Sequence, residues 1–210
     1  MARGPKTGRD RRRQLRRGHA DARPEWSEVV AGKWLSSRLE AIRSLELRSD
    51  IDSDTGFSAA LRPYQKLGVQ WLWTLRSLEL GGCLADDMGL DKTVQVLAIL
   101  SLRRHRQEHG TDLLPAPASI VDNWRQEIER FAPTLKVLIA RPSLSPTAQL
   151  TRLSRRQVES YDAVITTCGT AARSDWLKGF PWRSVILDEA QAIKNPGAKQ
   201  SRAVKALESK

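Results

Sequence analysis

The chain has 210 residues with a hydrophobic content of 40%, enough for one sizeable domain with a buried core, plus extensions. It contains no run of about 18 apolar residues, which excludes a predicted membrane-spanning helix. The formal net charge of +11 is strongly basic and is spread unevenly along the chain.

Residues 1–24 carry much of this positive charge. Nine Lys and Arg against two Asp give the segment a net charge of +7, and few apolar residues accompany them. Because so little apolar surface cannot offset the entropy lost on ordering, we predict a disordered basic arm at 1–24. It lacks the apolar stretch of a secretory signal. Two interpretations stay open: loose attachment to nucleic-acid phosphates, or a tail that only solubilises the chain or reflects the choice of start codon.

The next predicted elements are helical. Apolar residues near helical spacing predict a helix or helix pair at 25–47, followed by a polar connector at 48–58. A second helix is predicted at 62–80, where Pro63 suits the first turn. The short apolar run "GGCLADD" at 81–87 predicts a buried strand, and 92–107 predicts a third helix.

The rest of the chain alternates between strands and helices. Strands are predicted within 112–121 and at 136–140, 163–167 and 184–188. Helices are predicted between and after them, at 122–131, 148–160, 169–178 and 197–210. Apolar strands separated by helices predict an α/β fold with a parallel sheet that is covered on both faces. Such sheets bind ligands beyond the carboxyl ends of their strands.

Some side chains are assigned to the core or to the surface from their spacing. Trp71, Trp73 and Trp124 stand at helical positions among apolar residues, which favours core packing over base stacking. Four charged residues of the helix at 122–131 are predicted to form a solvated face: Arg125, Glu127, Glu129 and Arg130. Cys83 and Cys168 are far apart and lack metal-type spacing, so both are predicted to be small buried residues in a reducing compartment.

A candidate phosphate-binding loop lies between the predicted strand at 81–87 and the helix that follows it. The stretch "ADDMGLDKT" at 85–93 resembles the pattern Gly or Ala, four residues, Gly, Lys, then Ser or Thr. Two differences stand out: five residues separate Ala85 from the second glycine position, and Asp91 occupies that position. The location of this stretch between a strand and a helix supports the match. The sequence therefore predicts a loop related to phosphate cradles that carries a carboxylate.

A second candidate element is the stretch "VILDEAQ" at 185–191. An apolar strand runs into Asp188 and Glu189 about a hundred residues after the Lys-Thr loop. In nucleoside triphosphatases a strand-end aspartate helps hold Mg²⁺, and a neighbouring acid orients the attacking water. The alternative is an acidic pair that is favoured by the dipole of a following helix.

Five blocks occur in order: "LRPYQKLGVQWLW", "GGCLADDMGLDKT", "PASIVDNWRQEIERFAP", "VITTCGT" and "VILDEAQAIKNP". Together they resemble the first motor lobe of the Swi/Snf family of helicase-like, DNA-translocating ATPases in helicase superfamily two. The resemblance covers 57–210. It implies a RecA-like P-loop lobe, ATP and Mg²⁺ as ligands, double-stranded DNA as the track, and translocation driven by hydrolysis.

The resemblance also implies roles for individual residues. Gln65 would recognise the adenine edge, Lys92 would contact the β- and γ-phosphates, and Thr93 would bind Mg²⁺. Asp188 would assist the metal, Glu189 would polarise the water, and Gln191 would couple the nucleotide state to the DNA side. The remaining loop residues would line the nucleotide: Ala85, Asp87, Met88, Gly89, Leu90 and Asp91. Backbone contacts to DNA would come from two blocks: Pro117, Ala118 and Ser119, and Thr166, Thr167, Gly169 and Thr170.

The sequence departs from the family pattern at four points. Asp91 replaces a glycine and places an anion beside the phosphates. Pro115 falls in a strand where it removes a ladder donor. Cys168 stands where the family has an aromatic residue. The sequence stops at Lys210, so the rest of the first lobe and the second lobe, with its arginines, are expected to be missing.

The sequence therefore predicts three parts: a disordered arm at 1–24, a helical extension and connector at 25–56, and a truncated first RecA-like lobe at 57–210. The leading hypothesis is the ATP- and DNA-binding portion of a Swi/Snf-type ATPase, with the isolated chain inactive or very weak in ATP hydrolysis. The alternatives are a non-catalytic DNA-binding fragment and a decayed gene product. We expect an intracellular protein, associated with the nucleoid in a bacterium and nuclear in a eukaryote.

Overall fold

The computed structural model describes residues 55–85, 89–141 and 153–207. The predicted arm at 1–24, the predicted helix at 25–47, and Asp87 and Met88 of the candidate loop lie outside the described residues. No helix among the described residues is long and apolar enough to cross a membrane.

Two helices flank the candidate loop. Helix α1 spans Pro63–Ser77 and helix α2 spans Lys92–His105, close to the predicted bounds. They pack against each other through small and β-branched residues that include Val69 and Ala98. A Cβ atom added at Gly68 would overlap the Oε1 atom of Gln95 on α2. The glycine therefore lets the two helices approach closely.

A three-stranded parallel sheet forms the centre of the lobe. Its strands are β1 (Asp112–Ala116), β2 (Val137–Ala140) and β3 (Ala163–Thr167), in the spatial order β1-β3-β2. These three strands and the parallel pairing confirm the sequence prediction. Helix α3 (Val121–Phe131) follows β1, and the short helix α4 (Arg155–Glu159) precedes β3.

The chain after β3 forms short helices. They are α5 (Cys168–Arg173), α6 (Asp175–Lys178), a 3₁₀ helix (Ala190–Ile193) and α7 (Lys199–Lys205). The prediction of one helix at 169–178 is wrong, because Ser174 is extended, with φ −103° and ψ 106°, and separates α5 from α6. Helix α5 begins at a side-chain cap in which Thr167 Oγ1 accepts from the amide of Thr170 at 3.0 Å.

The sheet is covered on both faces, as the alternation along its strands requires. Leu114 and Ile165 face one apolar cluster with α2 and α3, in which Leu97 and Trp124 are buried. Leu113 and Val164 face the opposite cluster, which residues from α4, α5, α6 and the chain near Trp182 complete. Adjacent residues on each strand thus pack against opposite faces of the sheet, because successive side chains of a strand point to opposite sides.

The predicted strand at 184–188 is reduced to a single bridge between Val185 and Leu113. The Leu113 amide donates to the Ser184 carbonyl at 2.9 Å, and the Leu113 carbonyl accepts from the Ile186 amide at 2.8 Å. At the next pair, Pro115 accepts from the Asp188 amide at 3.1 Å but has no N–H to donate in return. The strand prediction at 184–188 is therefore wrong as a continuous ladder, and the missing Pro115 donor is the reason.

The predicted buried strand at 81–87 is also not found in its described part. Residues 81–85 form no regular element, and all of them except Leu84 are exposed. Gly81 and Gly82 lose more backbone entropy on ordering than other residues, which disfavours a strand here. Cys83 is consequently exposed, against the prediction, whereas Cys168 is buried as predicted. Burial raises the pKa of the Cys168 thiol.

A buried ion cluster ties the amino end of β1 to its neighbours. Asp112 is fully buried; its Oδ1 accepts from Arg103 Nη1 at 2.6 Å, and both of its carboxylate oxygens accept from Arg183. Burial alone would raise the pKa of Asp112, but hydrogen bonds and positive charge from Arg183 and Arg103 outweigh it and hold the pKa below its ordinary value. The cluster joins α2, β1 and the start of the 183–188 segment.

Candidate functional site

The candidate site lies where three neighbouring segments end. Ala116 of β1 and Thr167 of β3 are partners at the carboxyl ends of their strands, and Asp188 follows the segment that pairs with β1 on its other side. This edge is where α/β sheets hold ligands. Residues as far apart in the chain as Ala116 and Asp188 therefore meet at one end of the sheet.

The candidate loop ends in a left-handed turn. Asp91 has φ 49° and ψ 53°, and α2 begins at the next residue, with the Val94 amide donating to the Asp91 carbonyl at 3.1 Å. This backbone conformation favours glycine and costs other residues about 1 kcal/mol, although Asp tolerates it better than most. The position thus keeps the backbone shape of the glycine pattern while presenting a carboxylate in its place.

Gln65 connects helix α1 to the loop. Its side chain is buried, and its Oε1 accepts from the Arg62 amide at 2.9 Å, which satisfies a free donor at the start of α1. Its Nε2 reaches the carbonyl of Leu90 at 3.5 Å, a long hydrogen bond. The end of the loop therefore contacts Gln65, the residue to which the family resemblance gives recognition of the adenine base.

Lys92 and Thr93 occupy the first turn of α2, and both are half-buried. The first turn of a helix carries amide groups without partners inside the helix, and its dipole favours a bound anion. A 14-residue helix whose first residues are Lys and Thr is consequently suited to phosphate. Asp91 opposes that charge preference from the position immediately before the helix.

Asp188 is held by two donors. Its Oδ2 accepts from Trp124 Nε1 at 2.7 Å, and its Oδ1 accepts from the amide of Glu189 at 2.9 Å. Its own amide donates to Pro115, as described above. The carboxylate is therefore fixed in orientation from both sides, while the residue remains partly exposed.

Glu189 follows in a second left-handed conformation, with φ 52° and ψ 59°. Its carboxylate accepts a hydrogen bond from the side-chain amide of Gln191, two residues on, in the 3₁₀ helix. Non-glycine residues in this conformation are uncommon and cluster at functional sites. The structure thus places Asp188, Glu189 and Gln191 together at the end of the same segment.

Glu127 joins this group, although the sequence placed it on a solvated helix face. Its Oε2 is buried and has no hydrogen-bond partner within the described residues. Burial raises the pKa of Glu127, and the negative charges of Asp91 and Asp188 raise it further, against the opposing charge of Arg130. The solvated-face prediction is wrong for Glu127 because it lies three residues after the buried Trp124, on the same side of α3, and is half-buried. That spacing was the available signal.

The residues predicted to contact DNA differ in their solvent exposure. Ala118 and Ser119 are exposed on the turn after β1, in which the Ile120 amide donates to the Pro117 carbonyl at 3.1 Å. Thr166 is fully buried and its hydroxyl donates to the carbonyl of Ala140 at 2.8 Å, and Thr170 is buried beside Thr167. Thr167 and Gly169 are half-buried. The two blocks lie at the ends of the adjacent strands β1 and β3.

The chemistry of this site fits a divalent cation. The charges of Asp91 and Asp188 both add to the raised pKa of Glu127, and the buried Oε2 of Glu127 has no hydrogen-bond partner in the described part of the chain. Mg²⁺ takes oxygen ligands, so the Asp188 carboxylate and the Thr93 hydroxyl are suitable donors. The helix start and Lys92 fit a phosphate, whereas Asp91 disfavours it. The donor types therefore suit a cation that a bound phosphate also helps to hold, since the described residues contain no cluster of three or more His, Cys, Asp or Glu side chains that could hold a metal by itself. The site only partly fits the polyphosphate.

Other aromatic predictions give a mixed outcome. Trp124 is buried, as predicted, but Trp71 is 45% exposed, so its core assignment is wrong. It lies beside the uncovered segment at 81–85, which explains the exposure, and the two border one groove of about 360 Å³. Trp73 is half-buried between the guanidinium groups of Arg76 and Arg106, at 5.1 and 4.9 Å from the ring centroid.

Comparison with known proteins places this architecture in a family. The family model of the SNF2-related domain matches residues 64–210. The Bacillus subtilis protein YwqA is 37% identical over 181 residues, which cover 83% of this chain and 19% of YwqA. The human SWI/SNF-related matrix-associated actin-dependent regulator of chromatin subfamily A containing DEAD/H box 1 is 35% identical over 145 residues, 67% of this chain and 14% of that protein.

A solved structure supports the same assignment. The Sulfolobus solfataricus SWI2/SNF2 ATPase core in complex with double-stranded DNA matches with a TM-score of 0.65 and 37% identity, over 73% of this chain and 31% of that one. The chain thus spans about a fifth or less of the length of these curated relatives. The resemblance inferred from the five sequence blocks and the RecA-like α/β lobe are confirmed. The chain belongs to the SNF2-related domain family and corresponds to the N-terminal part of its ATPase motor.

Proposed function

We propose that this lobe binds Mg-ATP and double-stranded DNA as part of a DNA-translocating ATPase, and that Asp91 weakens its hold on the nucleotide. One observation carries the proposal. The Trp124 indole on α3 holds the Asp188 carboxylate at 2.7 Å, and on the same helix the pKa of Glu127 is raised by burial and by the charges of Asp91 and Asp188, which supports a common site for the two motifs. This is the arrangement that phosphoryl transfer requires, because phosphate and metal must be held together.

Each residue has a role that its position supports. Lys92, in the first turn of α2, would contact the β- and γ-phosphates, and Thr93 would provide a hydroxyl to Mg²⁺. Asp188 would hold the metal, and Glu189, next to it, would orient the attacking water. Gln65 would recognise the adenine edge from its place beside Leu90, and Gln191 would couple the site to the DNA side. Bound ATP would supply the phosphoryl group, and a Mg²⁺ ion held by Thr93 and Asp188 would supply positive charge near it.

Double-stranded DNA is the proposed track. A structural relative of this chain was solved with double-stranded DNA. In this chain Ala118 and Ser119 are exposed beyond β1, and Thr167 and Gly169 lie beyond the neighbouring strand β3. Contacts from such turns to the DNA backbone would position the lobe without reading the base sequence.

The proposed impairment follows from the charge of Asp91. Two unit charges about 5 Å apart repel by roughly 3 kcal/mol at an effective dielectric constant of about 20. That corresponds to a loss of about a hundredfold in affinity. The same feature favours the second candidate function, a lobe that binds DNA without using nucleotide.

Calorimetry with Mg-ATP tests the proposal. The chain should bind Mg-ATP weakly, and Lys92→Ala should abolish that binding, whereas Lys199→Ala, an exposed lysine at the start of α7, should leave it unchanged. If Lys92→Ala binds Mg-ATP as well as the unaltered chain, the site is not the one described here. Retention of DNA binding by a chain that binds no nucleotide would establish the second candidate instead.

A further inference from the structure

The indole of Trp124 has an unusual partner for a buried tryptophan. Trp124 is 3% exposed, yet its Nε1 donates at 2.7 Å to the carboxylate of Asp188, which is partly exposed. Trp182, which is fully buried on the other face of the sheet, donates instead to the backbone carbonyl of Leu177 at 2.7 Å. A carbonyl satisfies an indole N–H equally well, so burial alone does not require a charged acceptor.

The bond restrains the orientation of Asp188. One carboxylate oxygen accepts from Trp124 and the other from the Glu189 amide, so rotation of the carboxylate would break a charge-assisted bond on either side. Each carboxylate oxygen has a further lone pair that is not used by these two donors and can bind a cation. Partners of this kind orient the groups that hold a metal.

Trp124 also lies one turn from the exposed segment after β1. Its backbone amide donates to the Ile120 carbonyl at 3.0 Å, and the Ile120 amide donates to the Pro117 carbonyl at 3.1 Å. A short series of hydrogen bonds therefore runs from the Pro117–Ser119 turn, through the start of α3, to the Asp188 carboxylate. A displacement of that turn would be transmitted to Asp188 by a rigid aromatic side chain.

From these contacts we infer that Trp124 is a positioning residue: its indole N–H orients Asp188 toward a divalent cation and links that orientation to the Pro117–Ser119 turn. The inference rests on the proposed function, since it assigns Asp188 to Mg-ATP. It differs from simple core packing, in which the ring volume would matter and the N–H would not.

The matched pair Trp124→Phe and Trp182→Phe tests the role of the N–H. Each variant keeps an aromatic ring and loses one buried indole donor, but only the first loses a bond to Asp188. Affinities for ATP are measured by calorimetry with Mg²⁺ and with EDTA. Trp124→Phe should weaken Mg-ATP binding by about tenfold or more, as loss of such supporting partners does, and change metal-free ATP binding less than twofold. Trp182→Phe should leave both affinities unchanged. An equal loss of ATP affinity with Mg²⁺ and with EDTA would show that Trp124 contributes only by packing.

A spectroscopic measurement on the intact ring covers the case in which Trp124→Phe fails to fold. The indole N–H signals of the ¹⁵N-labelled chain are recorded, and that of Trp124 is identified by selective substitution of the other tryptophans. Asp188→Ala should shift the Trp124 signal and leave the Trp182 signal in place. Mg-ATP should also shift it, as should a duplex DNA oligomer added alone. An unmoved Trp124 signal in Asp188→Ala would refute the bond, and DNA binding without a shift would refute the link to the turn.

Failure of the inference and failure of the proposed function give different results. If the unaltered chain binds Mg-ATP and Trp124→Phe binds it equally well, only the positioning role is refuted. If Lys92→Ala and the unaltered chain are alike in showing no Mg-ATP binding, the nucleotide function fails, and the role of Trp124 toward a cation fails with it.

Discussion

The carbonyl of Pro115 accepts a hydrogen bond from the amide of Asp188 at 3.1 Å, yet Pro115 has no amide with which to complete the pair. The hydrogen bond that an amide at position 115 would donate to the Ile186 carbonyl is therefore missing, just before the segment reaches Asp188. The chain ahead of the candidate catalytic residues is thus attached to β1 less firmly than an unbroken ladder would allow.

Substitution of Pro115 by Val should restore this bond. The new amide would face the Ile186 carbonyl, and Val is well suited to a buried strand. We expect the Asp188 amide to exchange its hydrogen more slowly in Pro115→Val than in the unaltered chain, which hydrogen-exchange mass spectrometry or NMR can measure. Pro133→Val, at an exposed position after α3, is the control and should not slow it. Unchanged exchange in Pro115→Val would mean that the missing donor does not weaken the segment.

Asp91→Gly should strengthen ATP binding. It removes a negative charge, and glycine adopts the left-handed conformation of this position without the cost that an L residue incurs. We expect about a hundredfold gain for Mg-ATP by calorimetry, a smaller one for adenosine, and a reduced gain at high salt, which screens partly exposed charges. Asp91→Asn, which removes the charge alone, should give an intermediate gain. Equal affinity of the unaltered and glycine chains would show that the Asp91 side chain points away from the phosphates.

Asp112→Asn should destabilise the lobe strongly. The substitution leaves the buried Arg103 without its countercharge, and breaking a buried pair in this way costs about 3–5 kcal/mol. Urea unfolding at neutral pH measures the change. Asp175→Asn is the control, because its pair with Lys178 is on the surface and contributes at most about 1 kcal/mol. A similar small loss for both variants would show that the buried cluster contributes no more than a surface pair.

The same cluster predicts a pH dependence. The pKa of Asp112 is depressed in the folded chain, so its stabilising contribution is complete above the unfolded value of about 3.9 and is lost as pH falls toward the folded value. Between about pH 6 and pH 3 the free energy of unfolding should therefore fall more steeply in the unaltered chain than in Asp112→Asn. Parallel pH profiles for the two chains would contradict the assignment.

Gly68→Ala should separate α1 from α2. The added methyl group would overlap the buried Gln95 side chain, and overpacking of this kind costs about 1–3 kcal/mol. Because Gln65 lies one turn earlier on α1, its contact with the Leu90 carbonyl should weaken as well, with lower ATP affinity. Gly179→Ala is the control, since the nearest atom to its new Cβ would be 3.6 Å away. Thermal unfolding and calorimetry on both variants measure the two effects.

The sequence by itself determined several of the local elements and the motifs that make up most of the candidate site. Helices α1, α2 and α3 were predictable because their apolar residues recur at helical spacing, and β1 and β3 because a short apolar run between helices has few alternatives. Lys92, Asp188 and Glu189 were predictable because the motifs that contain them are contiguous in the chain. The tertiary structure decided what depends on distant pairing. Pro115 limits the 183–188 segment only because the two lie side by side. The pKa of Glu127 is raised by burial and by the charges of Asp91 and Asp188 only because the fold brings these distant segments near α3. The bond from Trp124 to Asp188 joins residues 64 positions apart, and no local pattern encodes such a pair, because its partners are set by how helices pack on the sheet.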